Sequence, residues 1–343
     1  MAIRIERIRR LFAVLGVLLV VSCSRAPDAN NSPAAPAADH VLRIARSKQL
    51  TGLAALEVHG ELEKGLAPLG FRVQWLEFLA GPQQFEAFNA GALDLATTAE
   101  SPPIFAQAAN GPVAYIGKTA TNGALVSLVV PAQSPVKTVP ELKGKKVAFQ
   151  KSSIGHYLLI KALEEQGLKI TDVESVNLAP PDANVALAQS RVDAWFIWEP
   201  FVTRAVQAGT GRVILDGEKL RDTTNFNTAT LSFAKEHPDV LRVFLDRLHE
   251  QEEWAQAHPR ELAELLAARL GLDVPTAIAM HAKTTWGVFP VTEHDVQIQQ
   301  AVADTWLRTG YLPRKLDVRS GFLAPELYAK IVPPSVLHAR AAR

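Results

Sequence analysis

The sequence predicts an α/β protein of two lobes, each a mostly parallel sheet flanked by helices. Three observations carry this. From residue 41, short β-type runs alternate with helical patterns in the order βαβαβ, the arrangement that makes a parallel sheet with helices on its faces. The same order recurs about a hundred residues later. A chain of 343 residues, 48% hydrophobic and 21% charged, is long enough for two domains at roughly 150 residues each. That composition excludes a disordered, fibrous or disulfide-stapled protein.

The elements follow in order. Residues 41–45 form a strand, and 53–69 read as an amphipathic helix closed by Gly70. Residues 71–78 are a second strand. Gly81-Pro82 opens a helix through Ala90, stopped by Gly91, and 93–97 is the third strand. In the second copy, 146–149, 174–178 and 192–197 are strands; 155–166, closed by Gly167, and 183–189 are helices. Ile44-Ala45, Lys48 and Gly52 find echoes in Val147-Ala148, Lys151 and Gly155 at an offset of 103. Leu93-Asp94 and Glu100 return as Val192-Asp193 and Glu199 at an offset of 99. From Phe233 the chain is mainly helical, with apolar stripes over 238–257 and 292–308 that are expected to cover the first lobe.

Ahead of this body stand four arginines (Arg4, Arg7, Arg9, Arg10), the apolar run 11–21, and Ser22-Cys23. The 11-residue run suits a signal-peptide core and falls short of the about 20 residues a membrane span needs. Residues 1–22 are therefore expected to direct export. Cys23, the sole cysteine, cannot form an internal disulfide or a metal cluster. Residues 24–39, rich in Ala, Pro, Asn and Ser, read as a flexible tether. Without residues 1–22 the chain holds 32 basic and 34 acidic residues, a balance that offers no cationic surface to nucleic acid. Any preference for anions must come from a local site.

Two lobes of one plan imply a crevice beyond the carboxyl ends of their strands, where helix N-termini direct free N–H groups. Those ends carry Arg46, Ser47 and Lys48; Thr98, Glu100 and Ser101; Ser152 and Ser153; and Trp198 and Glu199. Ser101 is suited to cap a helix whose first position is Pro102. Ser152 and Ser153, beside Lys151, precede the helix of His156 and Tyr157. Capping needs only one of those serines, so a cap and a cradle for a tetrahedral anion are both open. Because alternate strand residues face opposite sides, Trp198 suits the crevice and Trp195 the core.

These segments resemble a known family. Gly81-Pro82-Gln83, Asn89-Ala90-Gly91-Ala92-Leu93-Asp94, the run 97–108, His156-Tyr157-Leu158-Leu159 and the run 192–201 are similar to the aliphatic sulfonate-binding proteins of ABC importers, relatives of the taurine and nitrate binding proteins. The likeness extends to Trp286-Gly287-Val288 and Ala303-Asp304. It implies a type II periplasmic-binding fold whose lobes are hinged by two crossing segments, placed near 126–130 and 227–231. Lobe I would comprise 41–128 and 229–343, and lobe II 129–228. It further implies that Cys23, in a lipobox-like Val20-Val21-Ser22-Cys23, is lipidated, with 23–40 as the tether. The partners implied are a small organic anion, an alkanesulfonate, and the permease and ATPase subunits of the importer, with the protein acting as a monomer in the periplasm or cell envelope. No cofactor or metal is expected. Two positions depart from the family pattern. Arg46-Ser47-Lys48 stands where a Tyr-Gln-Lys-like segment is common, and Ala99 replaces a glycine.

Within this reading Arg46, Ser47, Lys48, Thr98, Glu100, Ser101, Ser152, Ser153, His156, Tyr157, Trp198 and Glu199 contact the ligand. Glu100 and Glu199 would repel an anion, so they are expected to hold His156, Arg46 or Lys48, or to meet a substrate amine. Alternative ligands are taurine, nitrate or another oxyanion. A second class is an enzyme akin to the thiamin pyrimidine-precursor synthases, which would need metal-binding cysteines. A third is a sensor module. Catalytic motifs are incomplete: the spacing of Gly111 to Gly117-Lys118-Thr119 misses a P-loop, and His249-Glu250 lacks a second histidine.

Overall fold

A computed structural model of the chain describes residues 40–120, 122–220 and 225–339. The expected signal segment, Cys23 and the tether up to residue 39 lie outside the described residues.

Two sheets organise the body. The first contains β1 (His40–Ala45), β2 (Phe71–Leu76), β3 (Leu95–Ala99), β4 (Val113–Thr119), β10 (Asn225–Thr230) and β11 (Val288–Phe289), ordered β11-β4-β10-β3-β1-β2. The second contains β5 (Val126–Pro131), β6 (Lys146–Phe149), β7 (Glu174–Asn177), β8 (Ala194–Trp198) and β9 (Gly211–Asp216), ordered β7-β6-β8-β5-β9. In each sheet three parallel strands stand in the same order, β2-β1-β3 and β7-β6-β8. An antiparallel strand follows in both, β10 beside β3 and β5 beside β8. Each of these arrives from the other sheet, so two passages of chain join the lobes.

Local chemistry repeats along with the topology. Asp94 opens the third strand of the first copy, and its carboxylate accepts from the Arg43 amide at 2.8 Å while its own amide donates to the Arg43 carbonyl at 2.9 Å. Asp193 does the same with Lys146, at 2.8 Å in both directions. The paired aspartates at the offset of 99 thus have one physical task, closing the first hydrogen bonds between two parallel strands. Only Asp94 also pairs with a guanidinium, that of Arg43 at 2.6 Å.

Central strands β4, β5 and β8 are almost wholly buried, and their sequences read as continuous apolar runs rather than alternating ones. In the second lobe Leu128, Val147, Phe149 and Phe196 pack against Leu158 and Leu163 of helix Ile154–Glu164. In the first, Leu42, Ile44, Leu56 and Leu62 meet Val240, Leu241, Phe244, Leu245 and Leu248, the apolar stripe of helix Pro238–Ala257.

Several expectations need correction. The helix expected over 53–69 is two helices, Gly52–His59 and Glu61–Leu66, broken where Gly60 adopts φ +65°. Helix Glu293–Arg308 does not simply cover the first lobe. Its Val296, Val302, Ala303 and Trp306 join the core of the second, beside Tyr157 and Leu158, and Arg308 pairs with Glu164. The passages between sheets lie between Thr119 and Val126 and between Asp216 and Asn225. The segments 126–130 and 227–231 expected to cross are instead sheet strands for most of their length, so boundaries at 128/129 and 228/229 fall inside β5 and β10. Both segments are buried because they lie within a sheet, although 227–231 is largely polar.

Candidate ligand-binding cleft

A cavity of about 580 Å³ opens at the carboxyl ends of β1, β3 and β8. Arg46, Ser47 and Lys48 line it after β1, Thr98 from within β3, Ser153 at the start of helix Ile154–Glu164, and Trp198 and Glu199 at the end of β8. Both lobes contribute. Glu100, Ser101, Ser152, His156 and Tyr157 are not among its lining residues.

The loop after β1 is held by its own side chains. Ser47 Oγ accepts from the Gln49 amide at 3.2 Å and from Thr51 Oγ1 at 3.0 Å, and Thr51 caps helix Gly52–His59. Its cations do not reach Glu100 or Glu199. Arg46 pairs with Glu57 at 2.8 Å and lies 3.7 Å from Glu77, while Lys48 pairs with Glu77 at 2.6 Å. Glu57 also binds Arg269 at 2.7 Å, giving a network that combines three cations and two carboxylates. Glu77 is held below the usual carboxylate range by its hydrogen bond to Lys48.

Across the cleft, Ser153 occupies the N-cap in extended conformation, yet its hydroxyl donates to the Gln150 carbonyl at 2.7 Å and no side chain caps the helix. The helix start is pressed onto β8. A Cβ on Gly155 would lie 2.5 Å from the Phe196 carbonyl oxygen, so only glycine permits this approach. Ser152 takes φ +62°, and its amide donates to His156 Nδ1 at 3.3 Å. His156 is fully buried, stacked on Phe149 at 4.2 Å and edged by Tyr311 at 4.3 Å. Burial, helped by Lys151, pushes its pKa down to about 3, so the ring is neutral and is not the expected partner of a carboxylate. Tyr157 belongs to the apolar core.

Glu199 accepts from the Thr203 amide at 3.0 Å and hydroxyl at 2.9 Å, closing the start of helix Phe201–Gln207. Burial raises its pKa. The Glu199–Pro200 bond is cis. Trp198 lines the cavity, and Trp195 is wholly buried. On the other lobe the expected cap shifts by one residue. Glu100 stands at the N-cap of helix Ser101–Ala108, and Ser101, already helical and buried, donates its hydroxyl to Glu100 at 3.0 Å. Gln299 binds the Glu100 carbonyl at 2.7 Å.

A further wall was missed from the sequence. Leu248, Glu252, Leu270 and Met280 line the cavity from the carboxyl-terminal helices and Trp286 from the loop after helix Val274–His281, beside Leu50 and Leu53. Glu252 is 5% exposed and accepts from the Gly52 amide at 2.9 Å and the Gly287 amide at 3.4 Å. One signal was legible. Glu252 stands four residues after Leu248, in register with the buried stripe of its helix.

The cleft thus combines an apolar wall, hydroxyls and amides at strand ends, and a cation network on one rim. A family model described as NMT1/THI5 like matches residues 72–262. An Escherichia coli (strain K12) protein named as an aliphatic sulfonates-binding protein is 36% identical over 293 residues, 85% of this chain and 91% of that one. Among solved structures, the alkanesulfonate-binding protein SsuA from Xanthomonas axonopodis pv. citri bound to MOPS matches with a TM-score of 0.80 at 31% identity, covering 84% of this chain and 99% of the other. The periplasmic aliphatic sulphonate binding protein SsuA from Escherichia coli gives 0.75 at 36% identity, covering 83% and 92%. These relatives are binding proteins by name. The chain belongs to the NMT1/THI5-like family and, within it, to the aliphatic sulfonate-binding proteins with the two-lobed periplasmic-binding fold.

Proposed function

We propose that this protein is the extracytoplasmic substrate-binding component of an ABC importer, which holds an aliphatic sulfonate between its lobes and delivers it to the permease without chemical change. The observation that carries the reading is a cleft built from the same strand ends of both lobes, with the uncapped helix start at Ser153 on one side and an apolar wall on the other. A sulfonate is anionic at any physiological pH and presents three acceptor oxygens. Backbone N–H groups at the helix start would bind these, joined by the Thr98 and Ser153 hydroxyls on turning from the Ala99 and Gln150 carbonyls, with Arg46, Ser47 and Lys48 on the rim. Trp198 would pack on the alkyl portion. Closure of the lobes about the two connecting passages would seal the ligand from water.

In this reading the protein works as a monomer in the periplasm, and lipidated Cys23 anchors it to the cell envelope through the 23–40 tether. The names of the relatives support the periplasmic part. No helix among the described residues is long and apolar enough to cross a membrane. The roles expected of Glu100, Ser101, Ser152, His156 and Tyr157 become supporting ones, shaping the helix starts behind the cleft. Chemistry of the pyrimidine-synthase kind calls for cysteine ligands, and the chain's single cysteine is Cys23.

Thermal-shift measurements with alkanesulfonates, taurine, nitrate and sulfate test the assignment. A ligand present at 100 times its Kd stabilises the native state by about 2.7 kcal/mol. Stabilisation by alkanesulfonates above all others, with compaction in solution scattering, is the expected result. Preference for taurine or nitrate would move the assignment to that ligand, and consumption of the sulfonate would overturn the carrier role.

A further inference from the structure

Among the described residues three carboxylates line the cavity, and two have a cation or a hydroxyl at hand. Glu77 pairs with Lys48, and Glu199 accepts from the Thr203 hydroxyl and amide. Glu252 differs. Among the described residues its only hydrogen bonds come from two backbone amides, and no ion pair reaches it. It is nearly inaccessible to water, and an ionised carboxylate has about four acceptor positions, of which two are used. A buried carboxylate without a cation is costly, and an anion brought into the same cavity makes it costlier.

We propose that Glu252 sets the net charge of the ligand that the cavity accepts: a purely anionic sulfonate enters together with a proton on this carboxylate, whereas a sulfonate bearing its own ammonium group enters without one. The proposal rests on the sulfonate reading of the cleft. Its size follows from geometry. A cavity of about 580 Å³ is roughly 10 Å across, and two like charges that far apart at an effective dielectric constant of about 20 disfavour one another on the order of tenfold.

Most of the charged groups on the elements around Glu252 are held by other bonds. Helix Gly52–His59 contributes Glu57, bound to Arg46 and Arg269, and His59, whose Nδ1 is 2.8 Å from Gln251. Helix Glu61–Leu66 contributes Glu61 paired with Lys64, and Glu63, which accepts from Trp75. Arg269 comes from helix Pro259–Leu270, and His281 from helix Val274–His281 has its Nε2 2.8 Å from the Ala255 carbonyl. His249 and Glu253, on the same helix as Glu252, lie 3.5 Å apart. Glu326 and Lys330 sit on helix Pro325–Ile331, and Glu199 and Arg204 face the cavity from the other lobe. Burial pushes the Glu252 carboxyl up to about 7, against the two amides that favour its ionised form. Both forms are therefore populated near neutrality. An anionic ligand raises this value further, so its affinity is greatest below pH 7 and falls as pH rises through that range.

Calorimetry of the purified full chain with butanesulfonate and 3-aminopropanesulfonate, in imidazole and Tris buffers between pH 5.5 and 8.5, tests this. Butanesulfonate is expected to bind about tenfold more weakly at pH 8.5 than at pH 5.5, with a binding enthalpy that changes with buffer because a proton is taken up. For 3-aminopropanesulfonate no proton uptake is expected, and its affinity should not fall as pH rises. In Glu252→Gln, butanesulfonate should bind equally at both pH values. Proton uptake absent from the wild type, or equal for the two ligands, overturns the proposal, and this comparison stands even where the variant does not fold. A pH dependence that survives in Glu252→Gln assigns it to another group, Glu199 foremost, and also overturns the proposal. Failure of both sulfonates to bind at any pH instead refutes the sulfonate reading and the inference with it.

Discussion

Gly155→Ala tests the claim that the helix start at the cleft is set by its contact with β8. The added Cβ would sit 2.5 Å from the Phe196 carbonyl oxygen and 3.2 Å from its carbonyl carbon. Neither side yields easily. Phe196 is fully buried in β8, flanked by β5 and β6, and Gly155 lies in the first turn of a helix whose next residues are buried. Overpacking of this kind costs about 1–3 kcal/mol, partly offset by alanine's better helix propensity of up to about 1 kcal/mol. For a chain of this size the net loss lowers Tm by roughly 2–6 °C. The helix start must also withdraw from the strand, carrying Ser153 and Ile154 with it, so sulfonate affinity should fall. Gly167→Ala is the control. Gly167 has φ +71° and open space around its Cβ position, so its substitution costs about 1 kcal/mol of backbone strain and leaves affinity unchanged. Denaturant unfolding and calorimetric titration of both variants provide the numbers. If Gly155→Ala is as stable as the wild type, or the two variants lose affinity equally, the close-approach argument is wrong.

Removing the twin aspartates separates what they share from what they do not. Asp94→Ala should cost about 2–3 kcal/mol, because it removes the acceptor of an amide and of two guanidinium nitrogens of Arg43, which keeps only its bond to the Gly91 carbonyl, while Asp193→Ala, at a more exposed end, should cost about 1–2 kcal/mol; a larger loss in Asp193→Ala on urea unfolding would refute the distinction. His156 is neutral in the folded protein and its pKa lies below the unfolded value of 6.5. Its contribution is therefore fully present above pH 6.5 and is lost as pH falls toward about 3, with a slope of up to about 1.4 kcal/mol per pH unit. His156→Phe should be slightly less stable at pH 7, where the Ser152 amide loses its acceptor, but show a flatter acid limb; an unchanged slope would exclude His156 as its source. Trp198→Ala should weaken binding of hexanesulfonate by about 1–3 kcal/mol and of methanesulfonate much less, since only the longer tail needs the indole face; equal losses in calorimetry would place Trp198 away from the tail.

The repeated βαβαβ order was readable because strand and helix periodicities are local, and the echo of Leu93-Asp94 in Val192-Asp193 supported the duplication; that the two aspartates close strand pairs is seen only in the structure. Positions at strand ends were readable for the same reason: Arg46, Ser47, Lys48, Thr98, Ser153, Trp198 and Glu199 all reach the cavity. Partners were not. Glu100 and Glu199 were expected to hold Arg46 or Lys48 because unpaired carboxylates would repel an anion, yet Glu57 and Glu77 are the carboxylates that hold those cations. His156 looked like a ligand group in sequence and proves to be a ring filling the space between Phe149 and Tyr311.

What the amino-acid order by itself determined is everything set within a few residues: strand and helix identity, glycine stops, the duplication, and which strand ends carry hydroxyls and tryptophan. Tertiary structure alone decided the far wall of the cleft. Glu252 lies 200 residues from Gly52 in the chain, yet its carboxylate holds that helix start. Contacts of this range depend on how helix Pro238–Ala257 packs on the first sheet, and packing is a property of whole apolar surfaces, which no local pattern encodes.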